Sequence, residues 1–130
     1  MRKILIVDDQ QSYQLLIQQV LHDIDRDLDI LTAYDGREAL LNIAHSLPDL
    51  VITDTYMPNM DGMELIGYLS NLMDRPKIIV LTVNQMEPDR RAGLFGSPNN
   101  KAVDFSISKD RIESDLHTVV VDCLALHYEQ

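Results

Sequence analysis

The chain has 130 residues, of which 45% are hydrophobic and 25% charged, and its formal net charge is −10. This length suits one domain, residues 1–130, with a core that needs no disulfide, and the single Cys123 has no partner within the chain. The acidic balance argues against direct nucleic-acid or membrane-surface binding. The first apolar run, Ile4–Val7, is far too short for a signal peptide or a membrane span. We therefore expect a cytoplasmic protein.

Short apolar runs alternate with amphipathic stretches along the whole chain. The runs predict strands at Ile4–Val7, Leu28–Tyr34, Leu50–Ile52, Ile78–Leu81 and Val103–Ile107. The first amphipathic stretch predicts a helix whose buried stripe runs from Tyr13 to Ile24. The next stretch predicts a second helix, ended by Pro48, whose buried stripe consists of Ala39, Leu40, Ile43, Ala44 and Leu47. Two further stretches predict a third helix at Leu65–Met73 and a last amphipathic helix at Ile112–His127. Asp35, three residues before Glu38, is the expected cap of that second helix.

Strands that alternate with helices indicate a parallel sheet covered on both faces. The first, third and fourth runs are wholly apolar, as interior parallel strands are. The second and fifth contain polar residues, which suits the edges of the sheet. The expected fold is therefore α/β, a flavodoxin-like (βα)5 three-layer sandwich with strand order 2-1-3-4-5. Glycines and prolines between Pro88 and Asn100 predict a shortened or irregular fourth helix, near Asp89–Phe95.

Polar residues stand where the predicted strands end. Asp8 and Asp9 follow the first strand, Asp54 follows the third, Thr82 ends the fourth and Lys109 follows the fifth. Carboxyl ends of parallel strands share one edge of the sheet, and three carboxylates gathered there repel one another unless a cation lies among them. Oxygen ligands of this kind favour Mg²⁺. A single Asp at such a place is more often a helix or turn cap, but this combination favours a cation site.

Four segments carry a resemblance to a known family. They are Ile4-Leu5-Ile6-Val7-Asp8-Asp9, the stretch from Asp54 to Gly62 (Asp-Thr-Tyr-Met-Pro-Asn-Met-Asp-Gly), Val80-Leu81-Thr82 and Lys109. In this order, and each at a strand end, they resemble a two-component response-regulator receiver domain over essentially the whole chain. The second segment is the most diagnostic.

The resemblance implies a role for each site residue. Asp54 accepts a phosphoryl group from a phosphohistidine on a sensor histidine kinase or phosphotransfer protein. Asp9, Asp54 and the backbone carbonyl of Tyr56 bind Mg²⁺, and Asp8 supports the ion mainly through water. Lys109 pairs with a phosphoryl oxygen. The implied protein is a signalling domain with weak phosphoryl-transfer and autodephosphorylation chemistry, working with a C-terminal effector domain or a partner protein, and a homodimer is compatible with it.

The resemblance also implies a conformational switch. Thr82 would hydrogen-bond the phosphoryl group and move inward with the loop that follows it. The family has an aromatic residue three positions before its lysine, where this chain has Ser106, and Phe105 lies one position earlier. A one-residue bulge would return Phe105 to the switch position, whereas an unbroken strand puts Phe105 and Ser106 on opposite faces. The irregular fourth-helix region is part of the family's usual output and dimer face, so we expect that this face does not form the common dimer.

Three alternatives differ in class from this interpretation. A pseudo-receiver would act as a protein-interaction module without phosphorylation; the complete acidic set and Lys109 argue against it, and the unusual fourth segment argues for it. A haloacid-dehalogenase-like phosphatase would need an Asp where this chain has Tyr56. A flavodoxin would need a phosphate-binding loop after the first strand, where Asp8 and Asp9 would repel the phosphate.

Overall fold

The computed structural model describes residues 2–55, 62–82 and 103–128 of the chain. In these ranges five strands form one parallel sheet, and their order is β2-β1-β3-β4-β5. The strands are β1 (Lys3–Val7), β2 (Asp29–Ala33), β3 (Leu50–Asp54), β4 (Lys77–Thr82) and β5 (Phe105–Ser108). The strand order predicted from the polarity of the runs is confirmed.

Helices cover both faces of this sheet. They are α1 (Gln11–Ile24), α2 (Gly36–His45), α3 (Gly62–Ser70) and a C-terminal helix (Ile112–Tyr128), which follows a 3-10 turn at Lys109–Arg111. One buried cluster joins α1 and the C-terminal helix to one face of the sheet, and a second joins α2 and α3 to the other. The three-layer prediction is confirmed. The predicted irregular helix near 89–95 lies outside the described residues.

Burial on both faces explains why the central strands are continuous apolar runs. In β1, Ile4 and Ile6 pack into the cluster on the α1 side, while Leu5 and Val7 pack into the cluster on the α2 side. Successive side chains of a strand point to opposite faces, so the middle of a strand covered on both sides has no position that faces water. The second strand lies at the edge, and four of its five residues are only partly buried. Among the described residues, no helix combines the length and apolarity needed to cross a bilayer.

Two predicted helices end earlier than their apolar stripes suggest. The helix α2 ends at His45, because Ser46 adopts an extended backbone and its N–H closes the last turn on Asn42. The side chain of Leu47 is consequently 41% exposed, and the prediction that it belongs to the buried stripe is wrong. Pro48 favours an extended conformation at the residue before it, which accounts for the early end. Ala44, still inside α2, is also exposed and was wrongly placed in the stripe.

The third predicted helix, marked by Leu65–Met73, also extends too far. This helix ends at Ser70, and Met73 lies in the following turn with its side chain fully exposed, at 100%. The prediction that the helix includes Met73 is therefore wrong. Hydrophobicity alone does not show where a helix leaves the core, because that depends on the position of the next strand.

The last strand begins two residues later than predicted, at Phe105. Asp104 instead makes two hydrogen bonds with Ile78 of β4. Its backbone N–H donates to the carbonyl of Ile78, and its side chain accepts from the N–H of Ile78 at 2.8 Å. Arg75 and Lys77 pair with the same carboxylate at 3.7 and 3.8 Å. The Asp104 carboxylate thus accepts the hydrogen bond of the Ile78 N–H, which a backbone carbonyl of a longer β5 would otherwise have accepted.

The start of α2 agrees with the predicted capping pattern. The side chain of Asp35 accepts a hydrogen bond from the N–H of Glu38 at 2.8 Å, and the Glu38 carboxylate accepts from the N–H of Tyr34 at 3.1 Å. The first bond satisfies a backbone donor that a helix start leaves unpaired, and the second holds the residue just before the cap.

Candidate functional site

The adjacent strands β1 and β3 bring two aspartates to one edge of the sheet. Val7 is in register with Thr53, so Asp8 and Asp54, the next residue along each chain segment, leave the sheet side by side. Asp8 is fully buried, Asp54 is 4% exposed, and Asp9 is exposed. Carboxylate oxygens from these three residues lie within 4.8 Å of one another. The structure therefore brings together the three acidic residues that the sequence had singled out.

Lys109 lies between the two buried aspartates. It begins the turn after β5 and is only 8% exposed. Its Nζ lies 3.0 Å from Oδ2 of Asp8 and 3.1 Å from Oδ2 of Asp54. Burial alone would lower the pKa of Lys109, but its hydrogen bond to Asp8 and the charges of both carboxylates outweigh burial and raise it. The ammonium is therefore charged at neutral pH and is shared between the two acids.

Each buried carboxylate is also held by the backbone. Oδ1 of Asp8 accepts a hydrogen bond from the N–H of Gln10 at 2.9 Å, and Oδ1 of Asp54 accepts one from the N–H of Thr55 at 2.7 Å. The other oxygen of each group faces Lys109. With one oxygen fixed by an amide and one by an ammonium, neither carboxylate is free to rotate.

Burial shifts the ionisation of Asp8. It raises the pKa of this carboxyl group, the amide of Gln10 and the ammonium of Lys109 lower it without cancelling the rise, and the nearby negative charge of Asp54 raises it further. The pKa of Asp8 therefore stays above its ordinary value although a lysine touches it. One ammonium does not neutralise this cluster of acids.

The residual charge and the ligand chemistry fit a hard divalent cation. The site contains three carboxylates, from Asp8, Asp9 and Asp54, and one ammonium, from Lys109. All the atoms that these carboxylates offer to a metal ion are oxygens. Oxygen-only donor sets with access for water suit Mg²⁺, and the exposure of Asp9 leaves the site open on that side. The residues present therefore fit the ion predicted from the sequence. The backbone carbonyl of Tyr56, the remaining predicted ligand, lies outside the described residues.

Thr82 and Phe105 occupy opposite faces of the sheet. The pairing of β4 with β5 runs without interruption from Ile79 opposite Phe105 to Thr82 opposite Ser108, so β5 has no bulge. Phe105 packs with the cluster on the α1 side, whereas Thr82, three positions beyond Ile79, belongs to the other face. Of the two arrangements considered for Phe105, the structure has the one without a bulge, which does not favour a switch role for this residue. Thr82 is 8% exposed, at the carboxyl end of its strand.

Gln14 is a site residue that sequence reasoning missed. Its side chain is 1% exposed, and its Nε2 donates to the carbonyl oxygens of Asp8 at 3.1 Å and Ala33 at 2.8 Å, with a longer contact to Ile6 at 3.4 Å. The first turn of α1 is thereby tied to the ends of β1 and β2. The signal was present in the sequence, because Gln14 precedes Ile17 and Leu21 at helical spacing on the buried face.

Tyr13 was assigned to an apolar stripe, and it also reaches the site. Its ring packs against the cluster on the α1 side, and Nζ of Lys109 lies over the ring at 4.1 Å from its centre. No pattern in the sequence relates these two residues, since they meet only when α1 and β5 pack on the same sheet.

Gly62, the first residue of α3, lies directly against the backbone of Asp54. A Cβ on Gly62 would overlap the carbonyl oxygen of Asp54 and lie 3.0 Å from Cα of Thr55. We expect Gly62→Ala to lower the free energy of unfolding by about 1–3 kcal/mol, because backbone atoms must shift to admit the methyl group. Urea denaturation of the purified variant measures this.

Gly67, in the middle of α3, provides the matched control. A Cβ there meets nothing within 4 Å. Because alanine favours a helix interior over glycine, Gly67→Ala should raise the free energy of unfolding by about 0.5–1 kcal/mol. If the two substitutions changed the free energy of unfolding equally, the close contact of Gly62 with the Asp54 backbone would not be the cause of the loss.

Comparison with known families agrees with this geometry. The family model described as the response regulator receiver domain matches residues 4–120 of the chain. The chain is 36% identical over 94 residues to the alkaline phosphatase synthesis transcriptional regulatory protein PhoP of Bacillus subtilis, a match that covers 72% of this chain and 38% of PhoP. It is 40% identical over 119 residues to the sensor protein EvgS of Escherichia coli, covering 89% of this chain and 10% of EvgS. The chain thus spans well under half the length of these relatives.

Solved structures are similar over almost the whole chain. The response regulator TrrA of Thermotoga maritima, in complex with Mg²⁺ and BeF, superposes with a TM-score of 0.74 at 28% identity, over 95% of this chain and 99% of that one. The signal receiver domain of an HD domain-containing protein of Pseudomonas fluorescens superposes with a TM-score of 0.85 at 23% identity, over 99% and 98% of the two chains, and shows the fold alone.

Proposed function

This chain belongs to the response regulator receiver domain family of two-component systems, and from that premise we propose that Asp54 is its phosphoacceptor. The observation that carries the proposal is the environment of the Asp54 carboxylate. It is buried, and it lies beside two further acids and 3.1 Å from the ammonium of Lys109. A structural aspartate would need none of these additional charges.

In the proposed reaction, an oxygen of Asp54 forms a bond to phosphorus while the bond from phosphorus to the donor imidazole nitrogen breaks. The imidazole keeps the electron pair of that bond and takes up a proton. Such transfers depend on position and charge neutralisation more than on covalent assistance. Lys109 already lies against Asp54 and would pair with a transferred phosphoryl oxygen, and Thr82 would donate its hydroxyl hydrogen to another.

Asp8, Asp9 and Asp54, with the backbone carbonyl of Tyr56, would hold the Mg²⁺ ion of this domain. The bound ion neutralises negative charge on the carboxylates and on the phosphoryl oxygens. Asp8 and Asp54 are already held by the amides of Gln10 and Thr55, so their orientation does not depend on the ion.

The wider role of the domain is also part of the proposal. The phosphoryl donor would be a sensor histidine kinase or a phosphotransfer protein, in the cytoplasm, and residues 1–130 would form one receiver domain. Phosphorylation would alter a surface that an effector domain or a partner protein reads, with Thr82 as the first residue to respond. The relatives PhoP and EvgS are longer than this chain, which is consistent with a receiver that serves other domains.

Acetyl phosphate, a small phosphoryl donor, provides the direct test. We expect the protein incubated with acetyl phosphate and Mg²⁺ to gain one phosphoryl group per chain, and the same protein with EDTA to gain none. Intact-mass spectrometry measures the gain, and hydroxylamine should remove it because an acyl phosphate is labile to this nucleophile. A folded protein that gains no label in either condition would instead be a pseudo-receiver.

A further inference from the structure

The ammonium of Lys109 has neighbours from three separate elements. Asp8 follows β1 and Asp54 ends β3, at 3.0 and 3.1 Å, and the ring of Tyr13 on α1 lies 4.1 Å from Nζ. The side chain of Lys109 is only 6% exposed, so water does not surround the charge. An ammonium has three N–H donors. Among the described residues, two carboxylate oxygens and one aromatic face lie against this ammonium.

An aromatic ring attracts a cation through the negative potential of its face, and the attraction is stronger where water is excluded. Two carboxylates alone leave a flexible four-carbon side chain free to move toward either acid. The ring of Tyr13 belongs to α1, whereas the two carboxylates follow β1 and end β3. The ring therefore restrains Lys109 from a third direction.

The position of the ring is itself fixed. Tyr13 packs against the core cluster on the α1 side. The next residue, Gln14, donates hydrogen bonds to the carbonyls of Asp8 and Ala33 and so ties this turn of α1 to the site. The position of the Tyr13 ring relative to the Asp8 carboxylate is therefore fixed.

We propose that Tyr13 is a positioning residue that holds the Lys109 ammonium against Asp54 through its aromatic face. The proposal rests on the phosphoacceptor function proposed above, and it adds a residue that acts on the phosphoryl group only through Lys109. A tyrosine that served the core alone would be replaced equally well by any apolar side chain of similar bulk.

The experiment replaces Tyr13 by leucine, by phenylalanine and by mono-, di- and trifluorinated phenylalanines. Fluorination weakens the negative potential of the ring face while leaving its shape nearly unchanged. We expect the rate of phosphorylation by acetyl phosphate to fall about five- to tenfold in Tyr13→Leu and to stay within about twofold in Tyr13→Phe. Across the fluorinated series the rate should fall stepwise. Thermal unfolding of each variant confirms that it is folded.

A second measurement does not depend on phosphorylation. Nitrogen-15 NMR of the lysine ammonium groups should show a Lys109 signal protected from exchange in the wild type and in Tyr13→Phe, and lost or broadened in Tyr13→Leu. Lys109→Met assigns the signal. Equal rates across the fluorinated series, together with an unchanged Lys109 signal in Tyr13→Leu, would overturn the proposal. A wild type that gains no label overturns the phosphoacceptor function instead, and the NMR result then decides the role of Tyr13 alone.

Discussion

Asp54→Asn is expected to abolish phosphorylation by acetyl phosphate, with a loss of at least about a hundredfold in initial rate. The amide cannot form an acyl phosphate, and no other carboxylate of the cluster is placed as Asp54 is: Asp8 is fully buried and Asp9 is exposed. Mass spectrometry of the intact variant, after incubation with Mg²⁺, measures the loss.

The Asp54→Asn variant should remain folded, which separates loss of chemistry from loss of structure. The asparagine oxygen can still accept the hydrogen bond from Thr55, and Lys109 keeps its ion pair with Asp8. Removing one negative charge from an acidic cluster also relieves repulsion on Asp8. We expect the free energy of unfolding without metal to change by less than about 1 kcal/mol.

Asp110→Asn is the matched control for this experiment. It removes one negative charge beside Lys109, but Asp110 is exposed and lies outside the acidic cluster. Its rate of labelling should equal that of the wild type. If Asp54→Asn were labelled as fast as Asp110→Asn, another residue would be the phosphoacceptor.

Lys109→Met is expected to have the largest effect on stability. It leaves the carboxylates of Asp8 and Asp54 buried together without their ammonium partner. Removing one member of a buried ion pair costs about 3–5 kcal/mol, since the remaining charge has lost its compensation. Urea denaturation at neutral pH without divalent ions measures this loss.

The loss should depend on pH in a direction set by Asp8. Burial already raises the pKa of this carboxyl group, and loss of Lys109 removes an interaction that lowers it. Below the ordinary carboxyl pKa, Asp8 is protonated in the folded and unfolded states and adds no penalty. As the pH rises through that value, the unfolded state loses its proton first and stability falls, until the raised pKa of the folded state is passed. The loss in free energy of unfolding that Lys109→Met causes should therefore be smallest at acidic pH.

Mg²⁺ should return part of the lost stability, because an ion that binds only the folded state stabilises it by mass action. The control is Lys77→Met, since Lys77 is 37% exposed and its pair with Asp104 measures 3.8 Å. A pair this exposed contributes about 1 kcal/mol at most. If the deficit of Lys109→Met were the same at every pH and with Mg²⁺, its cause would be side-chain packing and not the uncompensated charge.

Much of the fold and of the acidic site follows from local patterns in the sequence. A parallel strand covered on both faces is apolar along most of its length, so the polarity of each run separated the central strands from the edge strands. The flavodoxin-like arrangement, which places those two runs at the edges, then gave the order of the sheet. The acidic residues could be found because Asp8, Asp9 and Asp54 each stand where a strand ends, and parallel strands end at one edge.

Element ends were less predictable. Leu47 and Met73 continue an apolar stripe in the sequence, but Ser46 and Ser70 already mark the last turns of their helices. The point at which a chain leaves a helix depends on where the next strand must begin, which is a property of the whole sheet. The two-residue shift at Phe105 has the same origin, since the Asp104 side chain occupies the hydrogen-bonding place of the missing strand residues.

The sequence by itself determined the family, the order of the sheet and the acidic residues at its edge, because each depends on residue types close together along the chain. Only the tertiary structure decided how one ammonium is shared by Asp8 and Asp54, that Gln14 ties α1 to the site, and that the ring of Tyr13 lies over Lys109. Those contacts join elements far apart in sequence. They arise from the packing of α1 and the last strand on one sheet, which no local pattern encodes.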